Sequence, residues 1–316
     1  MTEERFMNKG SLNKKFQTHF KRVKKYSLLY LIMIPGIVYF LVFKYVPLYG
    51  IVIAFKDFNI SKGIAESPWV GLMFFERLFM GTSFMEVIRN TVLINAYYLI
   101  FGFPAPIILA LVINEIKLRR YQKFVQTVTY MPHFISWVVI YGLFVQLLSP
   151  STGPVNVLIK ALGGKSVYFL GDAEMFRPVM VFTHIWKTIG WSSIVYLAAL
   201  TGIDIQLYEA ARIDGATRFQ RIIHITLPGI RSVIVLMLIL RSGDLLADNF
   251  EQIYNFLNDN TLSVGDVIST YVYRNGITKM KYSLGTAVEL FTTVISFALV
   301  MFTNKVANKV GESGIW

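Results

Sequence analysis

Six apolar runs, each near the length of a bilayer crossing, predict an all-α, polytopic membrane protein with six transmembrane helices. Composition points the same way. Of 316 residues, 54% are hydrophobic and 16% charged, a higher apolar share and a lower charged share than a soluble domain carries. The loops between the runs supply the third observation, because basic and acidic loops alternate along the chain.

The runs cover 26–43, 87–113, 124–148, 179–200, 230–247 and 284–302. The first stops short at Lys44, but a lysine near a helix end can snorkel, and 45–55 is apolar enough to prolong the helix or skirt the interface. A cleavable signal core behind the basic residues at 21–25 is the other reading of this run. Lys-Tyr-Val-Pro follows it where a small-residue processing site would stand, so the span is expected to stay. The second and third runs flank a basic link of Lys117, Arg119, Arg120 and Lys123, and more basic residues crowd the N-terminal tail at Lys14, Lys15, Lys21, Arg22, Lys24 and Lys25. Asp57, Glu66, Asp172, Glu174, Asp259 and Asp266 dilute the alternate loops. With positive loops inside, an even number of spans leaves both termini cytoplasmic, as Lys305 and Lys309 after the sixth run also suggest. The expected organisation is a basic tail at 1–25, a six-span domain at 26–308 and a short cytoplasmic tail at 309–316. A net charge of +12 is then accounted for by topology, and no nucleic-acid partner is expected.

Several chemistries lose their residues. Without cysteine there are no disulfides, thiolate metal sites or cysteine nucleophiles, and His19, His133, His184 and His224 have no ligand spacing, so no metal site is expected. Gly163-Gly164-Lys165-Ser166 resembles the end of a phosphate loop, but Ile159 stands where the first glycine is needed, which leaves a tight turn in an external loop. On the fourth run, His184 and Ser192 lie two turns apart with no third orienting group, and serines such as Ser192 and Ser193 more often back-bond to their helix. No catalytic residue is expected. A secondary transporter remains an alternative class, although no internal repeat is visible.

Between the fourth and fifth runs lies a polar insert, 204–228. Over 205–214 Leu207, Ala210 and Ala211 share a face while Glu209, Arg212 and Asp214 point elsewhere, so a short amphipathic helix is predicted. Gly215 breaks it. A second turn or two over 217–223 places Phe219, Ile222 and Ile223 opposite Arg218 and Arg221, until Leu227-Pro228 redirects the chain into the fifth span. Such an elbow could lie on the lipid surface. The small alanines and mixed charges suit docking against another protein better.

Glu209-Ala210-Ala211, Asp214-Gly215-Ala216 and Ile225-Thr226-Leu227-Pro228 resemble the EAA motif of permease subunits in binding-protein-dependent ATP-binding-cassette importers. The residues 30–55, Tyr130-Met131-Pro132-His133, Glu251-Gln252-Ile253 and Thr270-Tyr271-Val272-Tyr273-Arg274 are similar to the sugar-importer branch, MalF-like and LplB-like, so the likeness covers nearly the whole chain after the tail. The resemblance implies a MetI-like permease fold in a bacterial plasma membrane, with a cytoplasmic coupling loop seated in a cleft of the ATPase. It implies a second, homologous permease, two ATPase subunits that hold ATP and Mg, an extracellular solute-binding protein and a sugar-type substrate. No cofactor is implied in this chain. Among the motif positions Glu209 and Gly215 are the most characteristic; Ser232 departs from the proline that many relatives carry after the basic residue. A non-sugar solute is the alternative cargo.

The expected solute path rests on polar residues in or just beyond the fifth run: Asp244, Asp248, Asn249, Glu251 and Gln252, with Arg241 as a partner for Asp244. Each charge at bilayer depth costs about 2.5–3.5 kcal/mol on the insertion scale, so these should face the bundle interior. At about 1.5 Å per residue from Ile230, Asp244 lies roughly 21 Å across, and Asp244, Asp248 and Glu251 recur at i, i+4, i+7 on one expected helical face. Tyr196, Trp191 and Trp186 of the fourth run offer aromatic platforms or plain packing. An ion pair holding two permeases together is the competing role for the carboxylates.

Overall fold

The computed structural model describes residues 25–309; the N-terminal basic cluster up to Lys24 and the tail from residue 310 lie outside the described residues. Among the described residues the chain is helical throughout, and the β contact is one isolated antiparallel bridge between Lys56 and Trp69. Three helical units among the described residues are long and apolar enough to cross a membrane: Ser27–Phe55, Thr82–Asn114 and Tyr282–Lys309. Three bent pairs reach the same length together: Arg119–Phe134 with Trp137–Leu148, Ala173–Leu200 with Ile205–Ile213, and Arg218–Gly229 with Arg231–Gly243. Five of the six apolar runs fall inside one of these units to within a residue, and the fifth, 230–247, runs four residues past the end of its unit at Gly243.

The first unit takes up the prolonged form. After Ser27–Phe40 a π turn at Leu41–Tyr45 and 3-10 turns at Val46–Phe55 carry the rod past Lys44 and Pro47. Pro47 has no N–H to give, and it stands at the start of the 3-10 stretch, where an N–H has no partner within that stretch to lose. Side chains from Lys25 to Tyr49 are exposed, so this apolar rod stands at the edge of the molecule.

Two further boundaries differ from the sequence expectation. The third run is not one straight span: its halves meet at 105°, because Pro132 lies in the 3-10 turn Met131–Phe134 and Ser136 then caps the next helix, its Oγ accepting from Val139 N at 3.4 Å. Pro228, in turn, does not redirect the chain. It sits in the helix, after a π turn at Ile222–Thr226, and the 61° bend falls at Ile230, whose φ of −107° and ψ of 7° leave the helical range.

Three buried clusters hold the units together. At one end Ala54, Phe84, Val87, Leu246, Ile268 and Ala287 join the end of the first unit to the starts of the second and sixth. At mid-height Ile94, Tyr98, Trp137, Phe144, Met180 and Ile253 join the second, third and fourth units to the short helix Phe250–Phe256. At the far end Ile107, Ala110, Tyr196, Leu200 and Ile230 join the second, fourth and fifth. Ends and starts therefore alternate as an up-and-down bundle requires.

Candidate transport site

The elbow is built by local chemistry. Asp204 caps the helix Ile205–Ile213, its Oδ1 accepting from Gln206 N at 2.9 Å. At the other end Gly215 N–H donates to Arg212 O at 3.1 Å and Ala216 N–H to Ala211 O at 2.9 Å, a Schellman stop. That stop needs a left-handed residue, and Gly215 has φ +76°. Thr217 and Gln220 then form a capping box: Gln220 N donates to Thr217 Oγ1 at 3.3 Å and Thr217 N to Gln220 Oε1 at 2.8 Å. Tyr208 OH and Thr226 Oγ1, 3.0 Å apart, tie the two arms.

This rigid hairpin presents an uncovered face. Ile213 is 87% exposed and Phe219 70%, with Glu209, Ala210, Arg212, Asp214 and Gly215 also exposed. Ala211, Asp214, Gly215, Ala216, Gln220 and Arg221 line a hollow of about 380 Å³ in the crook of the elbow. Leu227 is half-buried and Pro228 exposed, so they belong to the stem that leads to Ile230.

The residues expected along a solute path separate into three places. Tyr196, 3% exposed, lines a cavity of about 420 Å³ among the second, fourth and fifth units, with Tyr98, His184, Thr188, Trp191 and Arg241. The His184 ring stacks on Tyr98 at 4.1 Å and the His133 ring on Trp191 at 4.6 Å. A second cavity, of about 570 Å³, lies between the fifth and sixth units and holds Asp244, Asp248, Ser269, Glu289 and Thr292. Arg241 Nη1 bridges the two through an ion pair with Asp244 at 3.3 Å.

The helical face proposed for Asp244, Asp248 and Glu251 does not form. The helix Arg231–Gly243 ends just before Asp244, and the non-helical stretch before Phe250 resets the phase. Asp248 turns back to accept from Ser269 N at 3.1 Å and from Ser269 Oγ. Burial pushes its carboxyl up to about 6, against the lowering pull of the two Ser269 bonds. Asn249 caps Phe250–Phe256, Oδ1 accepting from Gln252 N at 3.5 Å, and Glu251 is exposed in the first turn of that helix. Gln252 is fully buried, and its amide is occupied: Nε2 donates to Met180 O at 2.8 Å and Thr183 Oγ1 at 2.9 Å, while Oε1 accepts from Tyr98 OH at 3.0 Å. It serves packing at the centre of the bundle, away from any open surface.

Ser193 Oγ donates to Gly190 O at 2.6 Å, the back-bonding anticipated for that serine. Among the described residues no group of His, Asp and Glu could hold a metal ion. In the Gly163-Gly164-Lys165-Ser166 stretch Gly163 closes a turn at φ +84°, and the three residues after it run on without regular structure. Sequence reasoning missed Lys187, whose Nζ donates to the carbonyl of His133 at 3.0 Å. It also missed the capping box, although Thr-x-x-Gln before an apolar run is a legible signal.

Residues 102–310 match the family described as the binding-protein-dependent transport system inner membrane component. The chain belongs to that family. Its members are transport permeases of membranes, which places the chain outside the enzymes. The chain is 47% identical over 288 residues to the polygalacturonan/rhamnogalacturonan transport system permease protein YteP of Bacillus subtilis, covering 91% of this chain and 90% of that one. It is 45% identical to Protein LplB of the same organism, over 93% and 92% of the two chains. Among solved structures, a bacterial ABC transporter involved in the import of the acidic polysaccharide alginate superposes with a TM-score of 0.86 at 43% identity, over 93% of this chain and 99% of that chain. A second alginate transporter structure, with an alginate pentasaccharide-bound periplasmic protein, superposes equally well.

Proposed function

We propose that this chain is a six-span permease subunit of an ABC importer that carries an oligosaccharide inward. It works beside a second permease, two ATPase subunits that hold ATP and Mg, and an extracellular binding protein that delivers the sugar. Residues 26–308 form the permease domain, with both termini in the cytoplasm.

The observation that carries this reading is the elbow. A hairpin locked by a Schellman stop and a capping box, yet bare on its outer face, has the properties of a docking element. Its arms join the long helices of the fourth and fifth units across bends of 77° and 61°, and the packing of Leu200, Ile203, Leu227 and Ile230 at those joints is what passes a displacement imposed by closing ATPase subunits on to Trp191 and Arg241. Glu209, Ala210, Ala211, Asp214, Gly215 and Ala216 supply the docked surface, and Leu227 and Pro228 the stem.

The cavity around Tyr196 and Trp191 suits the cargo. Aromatic faces stack on the apolar faces of sugar rings, and Arg241 offers donors in a fork that fits a carboxylate. The cargo is therefore a sugar chain that includes acidic units, in keeping with the polysaccharides named for the relatives. Asp244 then acts as the internal counter-ion that Arg241 exchanges for the solute.

Glu209→Lys and Gly215→Val test the coupling. Each variant should insert and assemble its membrane domain normally, yet lose uptake by at least about tenfold, with the ATPase subunits detached or hydrolysing without transport. Wild-type uptake at equal expression in both would sink the coupling role.

A further inference from the structure

The bend in the third unit leaves backbone groups in need of partners. In a continuous helix His133 O and Ile135 O would accept from Trp137 N and Val139 N; the break at 135–136 removes that arrangement, and Ser136 Oγ has already taken Val139 N. The donor that reaches both carbonyls is an ammonium from another helix. Lys187 Nζ donates to His133 O at 3.0 Å and to Ile135 O, and lies 5.2 Å from the centre of the Trp137 ring. Lys187 stands near the middle of Ala173–Leu200, where a charge is otherwise unfavourable.

One turn further along the same face is Trp191. Its indole is stacked on His133, the rings 2° from parallel, and Phe134 meets it edge-on at 5.6 Å. The lysine therefore grips the backbone of the residue whose ring supports the indole. Gly190 lets the two helices come this close, since a Cβ there would collide with Thr129 O. The indole remains 46% exposed and lines the cavity with Thr188 and Arg241.

We infer that Lys187 is a positioning residue of the solute path: it holds the broken third span so that His133 braces Trp191 as a flat platform for a sugar ring. This rests on the reading of that cavity as the path. Lys187 does not touch the solute and acts through His133 and Trp191.

The test uses the intact complex of both permeases, the ATPase subunits and the binding protein in liposomes, labelled with 5-fluorotryptophan, with a galacturonate trisaccharide as the uptake probe. Lys187→Met should move or split the Trp191 fluorine line, which is assigned by its loss in Trp191→Phe. It should also cut the solute moved per ATP about fivefold, with stimulated hydrolysis held within about twofold. Lys187→Arg should restore both. His133→Leu keeps the carbonyl and removes the brace, so it should uncouple to the same extent, and the double variant no further. An unmoved fluorine line in Lys187→Met overturns the inference. So does normal coupling in Lys187→Met or His133→Leu while Trp191→Ala is impaired. Normal coupling in Trp191→Ala refutes the cavity as the path, and the inference with it. A wild-type complex that moves no trisaccharide refutes the acidic cargo alone, and the fluorine line then decides the positioning.

Discussion

At position 215 the constraint comes from the backbone alone. An added Cβ would meet nothing within 4 Å, so substitution is opposed by the φ of +76° and not by crowding. Asparagine tolerates that region and valine does not, so a graded loss from Gly215→Asn to Gly215→Val separates conformation from bulk. Asp248 is the opposite case, constrained by its surroundings. Its carboxyl is raised to about 6 by burial, so the folded state binds a proton more readily than the unfolded chain does. The contribution to stability is full below the ordinary carboxylate range and is lost as pH rises through about 6. Asp248→Asn, which mimics the neutral group, should therefore raise the melting temperature of the purified complex at pH 8 and leave it nearly unchanged at pH 4. A gain of the same size at both values would contradict the assignment.

Two helical elements show how far local rules reach. The elbow is specified by short-range pairs: Asp204 with Gln206, Gly215 with Arg212, Thr217 with Gln220. Removing one cap should be felt in proportion. Thr217→Ala is expected to weaken the second arm by about 1 kcal/mol, seen as faster amide exchange over 218–226 with the bundle unaffected. Unchanged exchange there would mean that the arm is held by its stem instead. The third unit follows a different logic. Its sequence is apolar enough to be read as one rod, and Pro132 marks a break without saying how large a bend follows; the 105° angle is held by Lys187, more than fifty residues away in the chain.

For the whole molecule, the alternation of charged loops predicts sidedness. Lys117, Arg218 and Lys305 are expected in the cytoplasm, and Lys62, Lys165 and Lys279 outside, and all six are exposed. Because the chain has no cysteine, single cysteines at these positions can be labelled on intact cells with an impermeant thiol reagent. Labelling at 62, 165 and 279 and protection at 117, 218 and 305 is the expected pattern; labelling at 218 without 165 would invert the topology and remove the elbow from the side where ATP is found.

Membrane burial depends on the length of continuous apolar sequence, and caps and left-handed glycines act within four or five residues. For that reason the helical units, and the elbow with Gly215 at its turn, could be read directly from the residues. Pairing between helices has no such local signature. Nothing in the spacing of Asp244, Asp248 and Glu251 revealed that the helix stops at Gly243, which sends Asp248 to Ser269 and leaves Glu251 exposed on a separate helix. Nor could periodicity show that Gln252 would be consumed by Tyr98, Met180 and Thr183, or that Arg241 and Tyr196 would share a cavity distinct from that of the acids. Those outcomes are contacts between units remote in sequence, fixed by which buried polar groups can satisfy one another once the bundle closes.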